Sequence, residues 1–205
     1  MKIREVTRVV QGQPAIDGAG VRLNRVLGSN TIQDFDPFLM MDSFDSRNPD
    51  DYIRGFPMHP HRGIETVTYM LAGLVRHKDS LGNVGEITSG DVQWMTAGRA
   101  ILHEEMPEGL GGHMEGFQLW VNLPAHLKMT EPRYQEIKAA KIPWLNPTNG
   151  VTIRLIAGNY GEITGRVSDI AADPLYMDVT VYGGDRFDLD IPADHNALIY
   201  VFTGG

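Results

Sequence analysis

The chain has 205 residues, 42% of them hydrophobic, with 26 acidic against 18 basic side chains, a formal charge of −8 and no cysteine. That length can bury one or two modest cores. The acidic balance speaks against the basic surface that nucleic acid requires, and the lack of cysteine excludes disulfides, thiolate ligands and a cysteine nucleophile.

Met1 to Val10 alternates charged and apolar residues without the sustained apolar core of a signal peptide, so it predicts a first strand and a cytoplasmic protein. No apolar run approaches the roughly 20 residues of a membrane helix. Glycine and proline then punctuate short apolar segments in the manner of an all-β chain. Val21–Leu27 alternates, Phe38–Met41 follows, and a segment beginning at Phe56 is expected to run as one strand to Leu71.

Within that segment, period-two alternation would put His59, His61 and Glu65 on one face, with Val67, Tyr69 and Leu71 continuing it inward and Thr66 and Thr68 pointing away. Strands are expected at Leu74–Asp79, Gly85–Thr88 and Asp91–Met95, the first two joined by a hairpin around Gly82 and Asn83. In the next strand Ile101, His103 and Glu105 share a face and Glu104 points away. Two such faces turned toward each other would converge three imidazoles and a carboxylate, an arrangement costly to bury without a cation. A further strand covers 117–123.

From Pro124 to Gly150 the composition turns polar, with prolines at 124, 132, 143 and 147, which predicts a linker with a short helix near Glu131–Ile137. Alternation returns in Val151–Ile156, Leu175–Val181, Arg186–Ile191 and Asn196–Phe202. The expected organisation is a metal-binding barrel over 1–123, a linker over 124–150 and a partial second barrel over 151–205. An apolar strand at 197–202 left on an open edge would invite pairing with another chain.

Three blocks carry a resemblance to a known family. They are His59-Pro-His-Arg-Gly-Ile-Glu-Thr-Val-Thr-Tyr-Met-Leu71, Gly90-Asp-Val-Gln-Trp-Met-Thr-Ala-Gly-Arg-Ala-Ile-Leu-His-Glu-Glu-Met-Pro107 and Gln118-Leu-Trp-Val-Asn-Leu123, with Asp36-Pro-Phe-Leu-Met-Met-Asp-Ser-Phe44 ahead of them. The chain resembles the pirin family of the cupin superfamily. The resemblance implies an all-β cupin β-barrel in a bicupin architecture. Relative to longer members the second barrel is expected to be incomplete.

It also implies a non-haem metal, commonly iron, held by His59, His61, His103 and Glu105. Parity permits Glu65 as a carboxylate ligand as well. We assign Glu105 to the metal and give Glu65 a supporting role, holding a ligand imidazole, or that of a substitute base. Mixed nitrogen and oxygen donors without thiolate suit iron, manganese, nickel or copper more than a structural zinc. The resemblance implies Fe(II) first, with Mn, Ni, Cu or Zn as alternatives.

The implied activity is that of a metal-dependent dioxygenase of the quercetin 2,3-dioxygenase class, an oxidoreductase acting on a small aromatic substrate such as a flavonol, with Glu105 or Glu65 as catalytic base. The alternative is an iron-containing, redox-responsive regulatory protein that works through a protein partner. Neither reading involves nucleic acid or membrane. Among the methionines, Met58 is best placed by its neighbours to face the pocket. Trp94 and Trp120 are expected to pack the barrel, and His77, His113, His126 and His195 to be surface or structural histidines.

Overall fold

The computed structural model describes residues 3–28, 31–32, 35–108 and 110–205. Its elements run β1 (Gln13–Asp17), β2 (Val21–Leu27), β3 (Phe38–Ser46) and β4 (Phe56–His61). They continue through β5 (Ile64–Ala72), β6 (Leu74–Asp79), β7 (Val84–Thr88) and β8 (Val92–Thr96). Then follow β9 (Ile101–Glu108), β10 (Met114–Asn122), β11 (Arg133–Ile137) and β12 (Trp144–Thr148). The last are β13 (Val151–Ala157), β14 (Asn159–Tyr160), β15 (Ile163–Thr164) and β16 (Tyr176–Val181). Only single 3-10 turns interrupt the strands among the described residues.

Seven strands form one antiparallel sheet in the order β1-β2-β3-β10-β5-β8-β11, and four form another in the order β4-β9-β6-β7. Val21, Met70 and Met114 from the first meet Val75 and Ile87 from the second in a shared interior, which makes the pair a cupin barrel. The opposite face of the large sheet carries Val67, Tyr69, Trp94, Phe117 and Val121 into a separate core with Ile142, Ile156 and Val167. β5 is therefore buried on both faces, with Val67 and Tyr69 at 1% exposure and Met70 at 0%.

That burial reverses the expected parity. The ligand segment is two strands. Gly63, at φ +71° where only glycine sits without strain, breaks it, and β4 and β5 enter different sheets. After the break the even residues Thr68 and Met70 face the barrel interior, and the odd residues Glu65, Val67 and Tyr69 face the outer core.

Three other expectations are corrected. Glu131–Ile137 holds no helix over its last five residues: β11 pairs with β8 from Arg133↔Thr96 to Ile137↔Val92, because the free edge of β8 supplies hydrogen-bond partners to a passing extended chain. Of the predicted N-terminal strand, residues 1 and 2 lie outside the described residues, and 3–10 run as irregular chain, with the Arg4 guanidinium donating to the carbonyls of Ala193 and His195. Residues 186–202 likewise hold no strand. Their alternation reflects side-chain packing on an existing sheet: Tyr200 and Phe202 lie against Phe117, with ring centroids 5.7 and 5.1 Å apart. The C-terminal strands observed are the three-stranded sheet β12-β13-β16 and the β14-β15 ribbon, which do not close into a barrel.

Candidate metal centre

β4 and β9 lie side by side in the small sheet, with His59 directly opposite His103 and His61 opposite Ile101. The histidines thus converge as neighbours on one face of one sheet, not across two facing sheets as expected. A bulge helps to aim them. Between Phe56↔Glu105 and His59↔His103 strand β4 has one residue more than β9. Residues of opposite parity, Phe56 and His59, can therefore both turn inward. Pro57 and Pro60 fit β4 because it is an edge strand, where missing N–H donors cost no ladder bond. On β9 the odd residues Ile101, His103 and Glu105 are all buried, as alternation predicts.

One ring nitrogen from each of His59, His61 and His103 lies within 4.8 Å of the others. The Nε2 atoms of His59 and His61 are 3.0 Å apart. Two nitrogens bound about 2.1 Å from one ion at a right angle would stand roughly 3 Å apart. His59 Nδ1 lies 3.0 Å from the Pro57 carbonyl, so it carries the proton and donates there, which leaves Nε2 with a bare lone pair aimed at its neighbours.

Burial, reinforced by the neighbouring His103, pushes His61 down to about 4, and burial with His59 pushes His103 down to about 3. Both are therefore neutral near pH 7, the form that ligates. His103 is fully buried and neither of its ring nitrogens has a hydrogen-bond partner. An orphaned imidazole of this kind calls for an explanation, and a cation held by the three rings supplies one. The donor set fits a transition metal with open positions.

Glu105 shares the inner face of β9 with His103 and is near enough to His61 to act on its charge, but its carboxylate stands outside the cluster of three ring nitrogens. It is 7% exposed, and its Oε1 lies 3.2 Å from Thr68 Oγ1, which is 2.7 Å from Gln118 Oε1. Thr68 has a single hydroxyl proton. If that proton goes to Glu105, the Gln118 side chain presents its amide N–H to Thr68, giving a chain of donors ending on the carboxylate.

Glu65 is placed elsewhere. Its carboxylate accepts from Thr96 Oγ1 at 2.7 Å on the outer face of the large sheet, in line with Val67 and Trp94. It does not reach the imidazoles. Burial raises its pKa, against the opposing hydrogen bond from Thr96.

His59, His61 and Glu105 line a cavity of about 390 Å³ between the sheets, with His103 buried behind them. Its apolar wall includes Met40, Phe44, Phe56, Met114 and Trp120. The Trp120 indole lies edge to face with His61 at 5.1 Å, so this residue forms the pocket as well as packing the barrel. Met58 is 45% exposed and faces outward. Thr68, Gln118 and the carboxylates Asp17 and Asp42 also line the cavity. Sequence reading missed these because cross-strand register, not local pattern, brings them together. His77 is buried, its Nε2 2.5 Å from Glu136 Oε1.

Fold and site together define a cupin whose paired His-x-His and His-x-Glu strands open onto an apolar pocket. Residues 20–121 match the family model described as Pirin. A pirin-like protein of Caulobacter vibrioides is 51% identical over 205 residues, covering 100% of this chain and 74% of that one. A candidate quercetin 2,3-dioxygenase of Pseudomonas aeruginosa is 48% identical over 209 residues, covering 99% and 73%. The crystal structure of a quercetin 2,3-dioxygenase from Acinetobacter baumannii superposes with a TM-score of 0.69 at 38% identity, covering 78% of this chain and 59% of that one. The chain belongs to the pirin family. No helix among the described residues is long and apolar enough to cross a membrane.

Proposed function

We propose that the protein is a metal-dependent dioxygenase of the quercetin 2,3-dioxygenase type, with His59, His61, His103 and Glu105 as ligands and Fe(II) as the metal. The observation that carries this reading is the convergence of three buried or half-buried imidazoles, one without hydrogen-bond partners, two of which line an apolar cavity of about 390 Å³. That volume lies within the range of small-molecule sites. The names of the Pseudomonas and Acinetobacter relatives support the substrate class, a flavonol. In this reading residues 1–123 form the catalytic unit. Residues 124–150 connect it to 151–205 while adding β11 to its sheet.

Bound there, Fe(II) would supply Lewis acidity and one-electron chemistry with dioxygen. The chain supplies the rest. Phe56, Phe44 and Trp120 pack the aromatic rings and exclude water. Thr68 holds Glu105 Oε1, and Glu105, when detached from the metal, accepts the proton of the substrate's 3-hydroxyl. Glu65, on the other side of the sheet, has no part in it.

The test is anaerobic loading with Fe(II), then oxygen uptake on addition of quercetin, with His103→Ala as control. We expect uptake with product formation, lost in the variant. Bound iron without uptake would overturn the dioxygenase reading in favour of a redox-responsive binding protein. Full metal content and full turnover in His103→Ala would overturn the ligand assignment.

A further inference from the structure

The end of the cavity formed by β2, β3 and the β1–β2 turn holds two carboxylates that the reaction above does not use. Asp42 is 2% exposed and lines the pocket, as does Asp17 at the end of β1. Arg25 ties them together: its Nε and Nη2 donate to the two oxygens of Asp42 at 2.9 and 2.8 Å, and Nη2 also donates to Asp17 Oδ2 at 2.8 Å. Asp17 Oδ1 accepts the Gly18 N–H at 2.8 Å. Burial raises the Asp42 pKa, and the Arg25 guanidinium, which cannot lose its proton in a protein, opposes that rise and fixes the plane of the carboxylate.

Each carboxylate oxygen has two lone pairs and receives one of these bonds. The remaining acceptor capacity is available to the cavity, into which Arg25 itself does not project. The two carboxylates exceed the one guanidinium by a single negative charge.

Cross-strand register sets the separation from the reacting end. Asp42 on β3 is opposite Gln118 on β10, which is opposite Thr68 on β5, the residue that holds Glu105. Two inter-strand steps span roughly 10 Å. An aromatic substrate with a hydroxyl at Glu105 would thus reach the aspartates with a second, linked ring. The turn is fixed over the mouth, since Ala19 N donates to Gly55 O at 3.0 Å. A Cβ on Gly18 would come 2.6 Å from both Gly55 O and the Phe56 ring.

We propose that Asp17 and Asp42, held by Arg25, are specificity-determining residues that accept hydrogen bonds from hydroxyls on the distal ring of the substrate. The inference rests on the flavonol reading and refines it. The site selects hydroxylated distal rings over bare ones, and its excess negative charge disfavours rings carrying carboxylate or sulfate.

The test is equilibrium binding, followed by quenching of tryptophan fluorescence, on Zn(II)-loaded protein that cannot turn over. The probes are quercetin, with two adjacent hydroxyls on the distal ring, and galangin, the same flavonol without them. Quercetin is expected to bind about tenfold more tightly. Asp17→Asn, at a half-exposed position at the end of β1 that tolerates the change, should shrink that preference severalfold while leaving galangin unaffected, and Asp42→Asn should do the same. Equal binding of the two probes by the parent protein, or an undiminished preference in both variants, overturns the inference and leaves the flavonol reading standing. Failure of the parent to bind either flavonol overturns both.

Discussion

Two glutamates that alternation treats as equivalents are separated by the fold, and the difference decides their chemistry. Glu105 lines the barrel cavity with His59 and His61, with Thr68 on one oxygen. Glu65 is 1% exposed on the outer face, where one oxygen accepts from Thr96 and the other has no partner. Burial raises the Glu65 pKa above its unfolded value. Below the unfolded carboxyl pKa of about 4.3 both states are protonated, and the group costs nothing. As pH rises through that value the unfolded chain releases its proton while the folded one retains it, so stability falls. Glu65→Gln should therefore raise the melting temperature at pH 7, with the gain disappearing near pH 4, and should leave metal content unchanged. A thermal melt at the two pH values with metal analysis checks this. Loss of metal in Glu65→Gln would return Glu65 to the site.

At the scale of elements, β5 couples the metal barrel to the C-terminal sheet. Its inner face supplies Thr68 to Glu105, and its outer face supplies Tyr69, whose hydroxyl donates to Asp178 Oδ2 at 2.7 Å and accepts from Arg154 Nη1 at 2.9 Å. Arg154 also stacks over the Tyr69 ring and bonds the Gly90 carbonyl at 2.7 Å. One hydroxyl therefore links strands β5, β13 and β16. Burial, with Asp178 beside it, pushes the Tyr69 pKa up, so the phenol stays protonated and donates. Tyr69→Phe keeps the ring and removes the link. We expect a loss of about 1–3 kcal/mol from the unsatisfied Asp178 and Arg154, read as a lower denaturation midpoint, with metal binding retained because the barrel face of β5 is untouched. An unchanged midpoint would show that water replaces the hydroxyl at no cost.

Over the whole molecule the metal and the fold are linked. The three histidines come from two strands of the small sheet, and His103 is buried with neither nitrogen satisfied. A cation that binds only this folded arrangement adds its binding free energy to stability, about 2.7 kcal/mol at a hundredfold excess over Kd. Adding Fe(II) anaerobically, or Zn(II) in air, should raise the melting temperature progressively with concentration, and a chelator should reverse it. In His103→Ala the rise should be largely lost. Equal shifts in parent and variant would place the stabilising ion elsewhere, for instance at the surface cluster of Asp45, His113 and Glu115.

The sequence by itself determined the class of fold and the candidate ligands, because both are written at short range. Alternation in β9 is strict enough that His103 and Glu105 share a face whatever surrounds them. The spacing of His59 and His61 places them together on β4 by the same rule. Tertiary structure alone decided which face is inside. β5 is buried on both sides, so the alternation of Val67 and Tyr69 with Thr66 and Thr68 pointed to the wrong face, and the break at Gly63 that sent Glu65 with the outer core depends on two sheets that sequence does not name. The polar row of Asp42, Gln118 and Thr68 joins residues 26 to 76 positions apart in the chain. Only strand register brings them side by side, and register is fixed by the packing of whole sheets, not by any local pattern.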